Sequence, residues 1–209
     1  LVARWVERWG EPDTRRLLAA NNAEPPIVVR PIHTTRDELA ALLEAAGVRV
    51  EAAPLVADSL VLAGPVSALT EIGAFKRGLF HVQDPASTLV TEYAAVPAGA
   101  TVADLCAAPG GKSVELARTA GAVFSSDVSL HRLKRLRENL ARLGLANVHV
   151  YAADARVPAV RAVDFVLLDA PCTGTGTMRR HPDARWRLRP SDLAVMTELQ
   201  EMLLASAAR

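Results

Sequence analysis

The sequence predicts an α/β protein: a small α+β module over residues 1–80 and, over 81–209, a mostly parallel sheet with its ligand crevice at the carboxyl ends of the strands. Three observations predict it. From Asp84 onward, apolar strand-like runs alternate regularly with helical ones, the rhythm of right-handed βαβ crossovers. Before that point the order reads β-α-β-β-α-β, which is that of a ferredoxin-like module. Four aspartates, Asp104, Asp127, Asp154 and Asp169, fall at the ends of predicted strands, the edge at which open α/β sheets bind ligands.

Half of the 209 residues are apolar, enough for a real core in one or two domains. A net charge of +1 gives no global signature of a nucleic-acid binder, so any basic footprint is local. Two cysteines, Cys106 and Cys172, are too few for a disulfide framework and fit a reducing compartment. Five scattered histidines argue against a zinc site, and no metal is expected. No apolar run reaches the roughly 20 residues that span a bilayer, and no signal-peptide pattern is present. A cytoplasmic monomer with no membrane contact is the expectation. The chain starts at Leu1 and stops within an apolar helical segment, 191–208, so both ends read as cut. The last strand, 164–169, is apolar throughout, as a strand buried on both faces would be. Further strands are therefore expected beyond residue 209.

In order, Val2–Trp9 and Thr14–Asn21 read as helices, with Trp5 and Trp9 one turn apart and packing between them. Pro25 and Pro26 end this run, and Ile27–Ile32 reads as a strand. Thr35 with Glu38 is a capping box before the periodic Leu39–Ala46, and Gly47 sits where a helix stops. Val48–Ala53 and Ser59–Ala63 read as strands, a short helix lies around Leu69–Phe75, and Leu79–Val82 closes the module. The second part runs helix Ala86–Ala95, strand Thr101–Cys106, helix Lys112–Ala120 and strand Ala122–Asp127. A basic amphipathic helix, Ser129–Leu143, ends at Gly144, and strands Val148–Ala153 and Val163–Asp169 follow.

Between strand Thr101–Cys106 and its helix lies the loop Cys106, Ala107, Ala108, Pro109, Gly110, Gly111, Lys112. Glycine reaches positive φ without a Cβ clash, so the chain can reverse here and present bare backbone N–H groups to a ligand. The loop lacks the GxGxxG of nicotinamide enzymes and the first glycine of a phosphate-binding P-loop. Asp127 follows Asp104 by 23 residues, near the spacing at which an acid takes up ribose hydroxyls, and Asp154 is placed to meet a base. One such aspartate is more often a turn former; four in register point to a site. A cofactor with ribose and adenine but no phosphates fits, and S-adenosylmethionine is the obvious one.

Cys172 directly follows Pro171 on a glycine-bounded loop, a setting for a reactive or substrate-facing thiol. Cys106 reads as a small packing residue. Met178–Arg189 carries five arginines and Trp186. It suits a nucleic-acid phosphate path with stacking, with Arg179, Arg180, His181 and Arg185 as candidate RNA contacts; it equally suits a solvated loop with a structural tryptophan. The helix bearing His131, Arg132, Lys134, Arg135 and Arg137 reads as a solvated face.

Asp104–Lys112, Phe80–Ser87, Asp169–Gly176 and Arg180–Trp186 together resemble the RNA 5-methylcytosine methyltransferases of the Nop/Sun family, most closely its RsmB-like branch. Trp9-Gly10, Asn21-Asn22 and Pro25-Pro26 resemble that family's N-terminal RNA-binding module, so the resemblance covers essentially the whole chain. It implies a Rossmann-like S-adenosylmethionine methyltransferase sheet, here truncated, that methylates carbon-5 of a cytosine in small-subunit ribosomal RNA. By position, Cys106–Lys112 line the cofactor, Asp127 holds its ribose, Asp154 lies near the adenine, and Asp169 near the methyl donor and target base. A thiolate must first add to carbon-6 of cytosine to make carbon-5 nucleophilic, and the base must leave its stack. Family members have two cysteines. One, in Pro-Cys, helps release the product and is matched by Cys172; the other, in a Thr-Cys motif, attacks the base. No Thr-Cys occurs in these residues, so the nucleophile is expected beyond residue 209. Two alternatives stand beside this reading: a non-catalytic RNA- and cofactor-binding module, and a nicotinamide dehydrogenase.

Overall fold

The computed structural model describes residues 1–64 and 68–209. They divide into two units, Leu1–Pro25 with Pro171–Glu198, and Pro26–Ala170 with Leu199–Arg209. In the first, helix α1 (Val2–Asn22) is two predicted helices run together across Gly10, whose φ of 78° and ψ of 165° interrupt the helical path. The Thr14 hydroxyl donates to the Gly10 carbonyl at 2.8 Å. Trp5 and Trp9 pair with each other, ring centroids 6.3 Å apart, and Trp9 stays exposed.

The second unit holds two four-stranded sheets. The first contains β1 (Ile27–Pro31), β2 (Arg49–Ala52), β3 (Leu60–Ala63) and β4 (Phe80–Val82), all antiparallel in the order β2-β3-β1-β4. Helices α2 (Arg36–Ala45) and α3 (Gly73–Lys76) complete the ferredoxin-like βαββαβ order. The capping box forms: Glu38 N–H donates to Thr35 Oγ1 at 3.2 Å, and Thr35 N–H donates to the Glu38 carboxylate at 2.9 Å. Val29, Leu39, Leu43, Leu60, Leu62 and Phe80 form the core between sheet and helices.

Helix α4 (Pro85–Ala94) leads into the second sheet, where β5 (Thr101–Leu105), β6 (Ala122–Asp127), β7 (Val148–Ala152) and β8 (Phe165–Leu168) run parallel in the order β7-β6-β5-β8. Helices α5 (Gly111–Leu116) and α6 (Leu130–Leu143) cover one face, burying Leu116, Leu133, Leu136 and Leu140 against Val102, Val123 and Val148. The other face packs Ala103 and Leu105 against Leu199 and Leu203 from the end of α8 (Pro190–Ala207). Each large aliphatic side chain so buried contributes roughly 1.5–3 kcal/mol. Strand order reverses at β5: the chain steps outward through β6 and β7, then returns to the other side of β5 as β8. The crevice between β5 and β8 is thus the topological switch point, the usual ligand position in such sheets.

Among the described residues β8 pairs with β5 alone and lies at the edge of the sheet, with Val166 36% exposed.

Within this unit the two sheets are joined by specific contacts. Arg142 of α6 donates to the carbonyls of Phe75 and Phe80, each at 3.0 Å, with its guanidinium 3.9 Å from the Phe75 ring centre. Gly78 (φ +73°) passes so close that a Cβ there would lie 2.0 Å from the Arg142 carbonyl oxygen. Arg30 of β1 pairs with Glu115 of α5 at 2.7 Å, both buried. No helix among the described residues is long and apolar enough to cross a membrane.

Candidate cofactor and RNA site

The switch-point site begins where β5 ends. Cys106 takes φ 74°, a left-handed conformation that costs a non-glycine residue on the order of 1 kcal/mol and gathers at ligand loops. Its neighbours hold the loop against β6: Ala107 N–H donates to the Ser126 carbonyl at 2.8 Å, and Ala108 N–H to Asp127 Oδ2 at 3.3 Å. Gly110, at φ +107°, sits against α6, and a Cβ on it would lie 2.1 Å from Leu136 Cδ1.

Three of the four strand-end aspartates meet here electrostatically. Asp104 is buried; Ser113 Oγ donates to its Oδ2 at 2.6 Å, and Ser125 Oγ to Ser113 Oγ at 2.9 Å. Asp104 Oδ1 has no hydrogen-bond partner among the described residues. Burial raises the Asp104 carboxyl to about 6, the charges of Asp169 and Asp127 adding to that rise against the Ser113 bond and the Lys112 charge. Lys112 Nζ donates to Asp169 Oδ2 at 2.7 Å. Burial, then the carboxylates of Asp127 and Asp104, push the Cys106 thiol up to about 11.

The buried Asp127 accepts at Oδ1 from Ser129 N–H and from Arg132, each at 2.8 Å. Arg132 is exposed, as the charge run of α6 suggested, and from that face it also reaches the strand-end acid. Asp154 stands on the surface in a tight turn with Arg156, whose side chain donates to it at 2.5–3.1 Å and holds its carboxyl below the usual range.

Cys172 belongs to the other unit. It is exposed, and its Sγ accepts from Gly174 N–H at 3.4 Å. Nearby in sequence, Arg180 and His181 are exposed. Arg179 and Arg185 are also on the surface, but their guanidinium groups are engaged by the end of α1. Arg179 donates to the carbonyls of Ala23 and Glu24 at 3.1 and 2.6 Å. Arg185 donates to Asn22 Oδ1 and the Asn21 carbonyl, both at 2.7 Å. Trp186, in the short helix α7 (Ala184–Arg187), is 88% exposed.

A negative cluster at the loop fits a cationic cofactor better than an anionic one. Asp169 and Asp127 raise the proton affinity of Asp104, and all three raise that of Cys106, a negative field that would favour a sulfonium and oppose the pyrophosphate of a dinucleotide.

Comparison with known proteins shows what the chain is similar to. Residues 94–209 match the family model "16S rRNA methyltransferase RsmB/F", and residues 1–68 match that of its ferredoxin-like domain. The chain is 40% identical over 212 residues to ribosomal RNA small subunit methyltransferase B of Vibrio cholerae, covering 98% of this chain and 47% of that protein. Against its Pseudomonas syringae counterpart the identity is 38% over 213 residues, covering 98% and 46%. The chain thus spans about half the length of the curated relatives it matches. Among solved structures, a methyltransferase homologue from Pyrococcus horikoshii superposes with TM-score 0.81 at 29% identity, covering 98% of this chain and 66% of that one. NSun6 from Pyrococcus horikoshii, solved with SFG, gives TM-score 0.86 at 18% identity, covering 99% and 78%, a likeness of fold.

Proposed function

The chain belongs to the 16S rRNA methyltransferase RsmB/F family, and from that premise we propose that it serves S-adenosylmethionine-dependent methylation of cytosine carbon-5 in small-subunit ribosomal RNA. The observation that carries this reading is the carboxylate cluster around the Cys106–Lys112 loop at the switch point. When bound, the cofactor supplies an electrophilic methyl group. Cys106, Ala107, Ala108, Pro109, Gly110, Gly111 and Lys112 line its site in this reading, Asp127 takes the ribose hydroxyls, and Asp154 lies by the adenine. Asp169, held by Lys112, faces the reacting end. For Asp127 to bind ribose, the sugar hydroxyls replace the half-exposed Arg132 guanidinium at Oδ1, so that the buried carboxylate keeps its hydrogen bonds.

The thiols divide by environment. Cys106, pushed up to about 11, is protonated at neutral pH and unsuited to attack carbon-6. Cys172, exposed beside Pro171, takes the product-release role, and the thiol that forms the covalent cytosine adduct is neither of these two. Arg180 and His181 meet the RNA backbone, with Arg179 and Arg185 supporting that segment.

The test is equilibrium binding of S-adenosylmethionine and of NAD to the chain, with Asp127→Ala as control. Saturable S-adenosylmethionine binding, weakened about tenfold or more by Asp127→Ala, is expected. Binding of NAD in its place would overturn the reading. Cofactor and RNA binding with labelled methyl never reaching cytosine, even in a protein of the relatives' full length, would leave the non-catalytic module.

A further inference from the structure

Trp186 is the largest side chain in the segment that carries Cys172, and it is 88% exposed. An indole is apolar along its body and polar at its N–H, which suits it to a contact site when the backbone beneath it is held rigidly. Here the backbone is held. Arg179 and Arg185, on either side of the turn that leads into α7, make four hydrogen bonds of 2.6–3.1 Å to Asn21, Asn22, Ala23 and Glu24. Three of those acceptors are main-chain carbonyls at and just past the C-terminal turn of α1, where helix carbonyls lack partners and the helix dipole favours a cation. Met178, immediately before Arg179, is buried. The two arginines act as a clamp, and Trp186 follows the second of them directly.

Charge selects the partner. Met178–Arg189 contains five arginines against one aspartate, and that aspartate, Asp183, is already paired with Arg187 at 2.6 Å. A planar aromatic standing out of a positive surface has the two elements of a single-stranded nucleic-acid site, a stacking face and phosphate attraction. An acidic protein would use the charge but leave the indole face without a matching π surface.

We infer that Trp186 is a stacking platform for an unpaired RNA base, held out by Arg179 and Arg185 as positioning residues. This rests on the RNA-modifying reading above and deepens it, because it separates the arginines that shape the surface from the residue that touches the ligand.

The experiment titrates the chain with an unpaired ribo-oligonucleotide at several salt concentrations, reading affinity and tryptophan fluorescence. Trp186→Ala should weaken binding about tenfold without changing the salt slope, because stacking is not ionic. Trp186→Phe should keep affinity within about threefold while losing the fluorescence quench, which shows that a flat ring suffices and that the variant is folded. Arg179→Ala/Arg185→Ala should reduce the quench yet leave the salt slope intact, whereas two phosphate contacts would lower it by about two. Unchanged affinity in Trp186→Ala overturns the inference. A slope that falls by about two in the double variant, or equal quenching by duplex RNA or by a polyglutamate peptide, overturns it as well. RNA binding that ignores Trp186 overturns the inference alone; a complete absence of RNA binding overturns the RNA-modifying reading with it.

Discussion

At Asp104, burial raises the carboxyl from 3.8 to about 6, although the Ser113 hydroxyl and the Lys112 charge both pull downward. The sign of its effect on stability follows from that direction. Between pH 4 and 6 the unfolded chain ionises Asp104 while the folded chain keeps the proton, so stability falls as pH rises through this window. The difference is on the order of 3 kcal/mol. The Ser113 hydroxyl and the Lys112 charge offset part of the cost of this buried charge, and the carboxylates of Asp169 and Asp127 add to it. Asp104→Asn keeps an acceptor for Ser113 and removes the titration. Relative to the unmodified chain, it should therefore gain stability from pH 4 to pH 7 by on the order of 3 kcal/mol, while binding a cationic cofactor less well. Urea unfolding at several pH values measures the first effect; a stability difference independent of pH would show that Asp104 ionises normally.

The loop from Cys106 to α5 depends on Gly110 for both conformation and space. At φ +107° any side chain is strained, and a Cβ would meet Leu136 Cδ1 at 2.1 Å. Gly110→Ala should destabilise the chain by about 2–4 kcal/mol and weaken S-adenosylmethionine binding about tenfold or more. Adding Leu136→Ala removes the clash but not the backbone strain. The double variant should thus cost less than the two single changes summed, measured by a denaturation cycle; full additivity would mean the two positions do not touch. This loop was legible in the sequence because its signals are local: paired glycines after a strand, like the Thr35–Glu38 capping box or the two periods of apolar residues. Other features were not. Arg185 finds Asn22 at a separation of 163 residues, and nothing near either residue announces the pairing. Arg132 sits in a run of like charges, and only the spacing Asp127-x-Ser129-x-x-Arg132 hints at it: Ser129 caps α6, so the first helical turn folds back beneath the strand-end acid.

Across the whole chain, the ferredoxin-like and parallel sheets share one unit through a buried polar junction. Arg30 of β1 pairs with Glu115 of α5, and His81 of β4 lies 3.7 Å from the same carboxylate, with its Nε2 2.7 Å from Gln83 Oε1. Burial lowers His81 to about 4, and the positive charges of Arg30, Arg118 and Arg142 add to this against the Gln83 hydrogen bond. A neutral His81 therefore donates from Nε2 to Gln83, and it stays neutral in the folded chain at pH values where the unfolded chain protonates. Stability is lost as pH falls from 6.5 toward 4, by on the order of 3 kcal/mol, opposite in sign to Asp104 over nearly the same window. Glu115, raised by burial, adds to the Asp104 sense, so the unmodified chain blends opposing slopes that single variants separate. His81→Gln, which cannot titrate, should gain on the unmodified chain as the pH drops from 6.5 to 4. Because His81 stands where both sheets meet, acid should release β1 and β5 together rather than one sheet ahead of the other. Hydrogen exchange of the Val29 and Ala103 amides across that range reads this directly. Protection lost at two different pH values would mean that the junction does not couple the sheets, and a His81→Gln profile parallel to the unmodified one would mean that another group senses the acid.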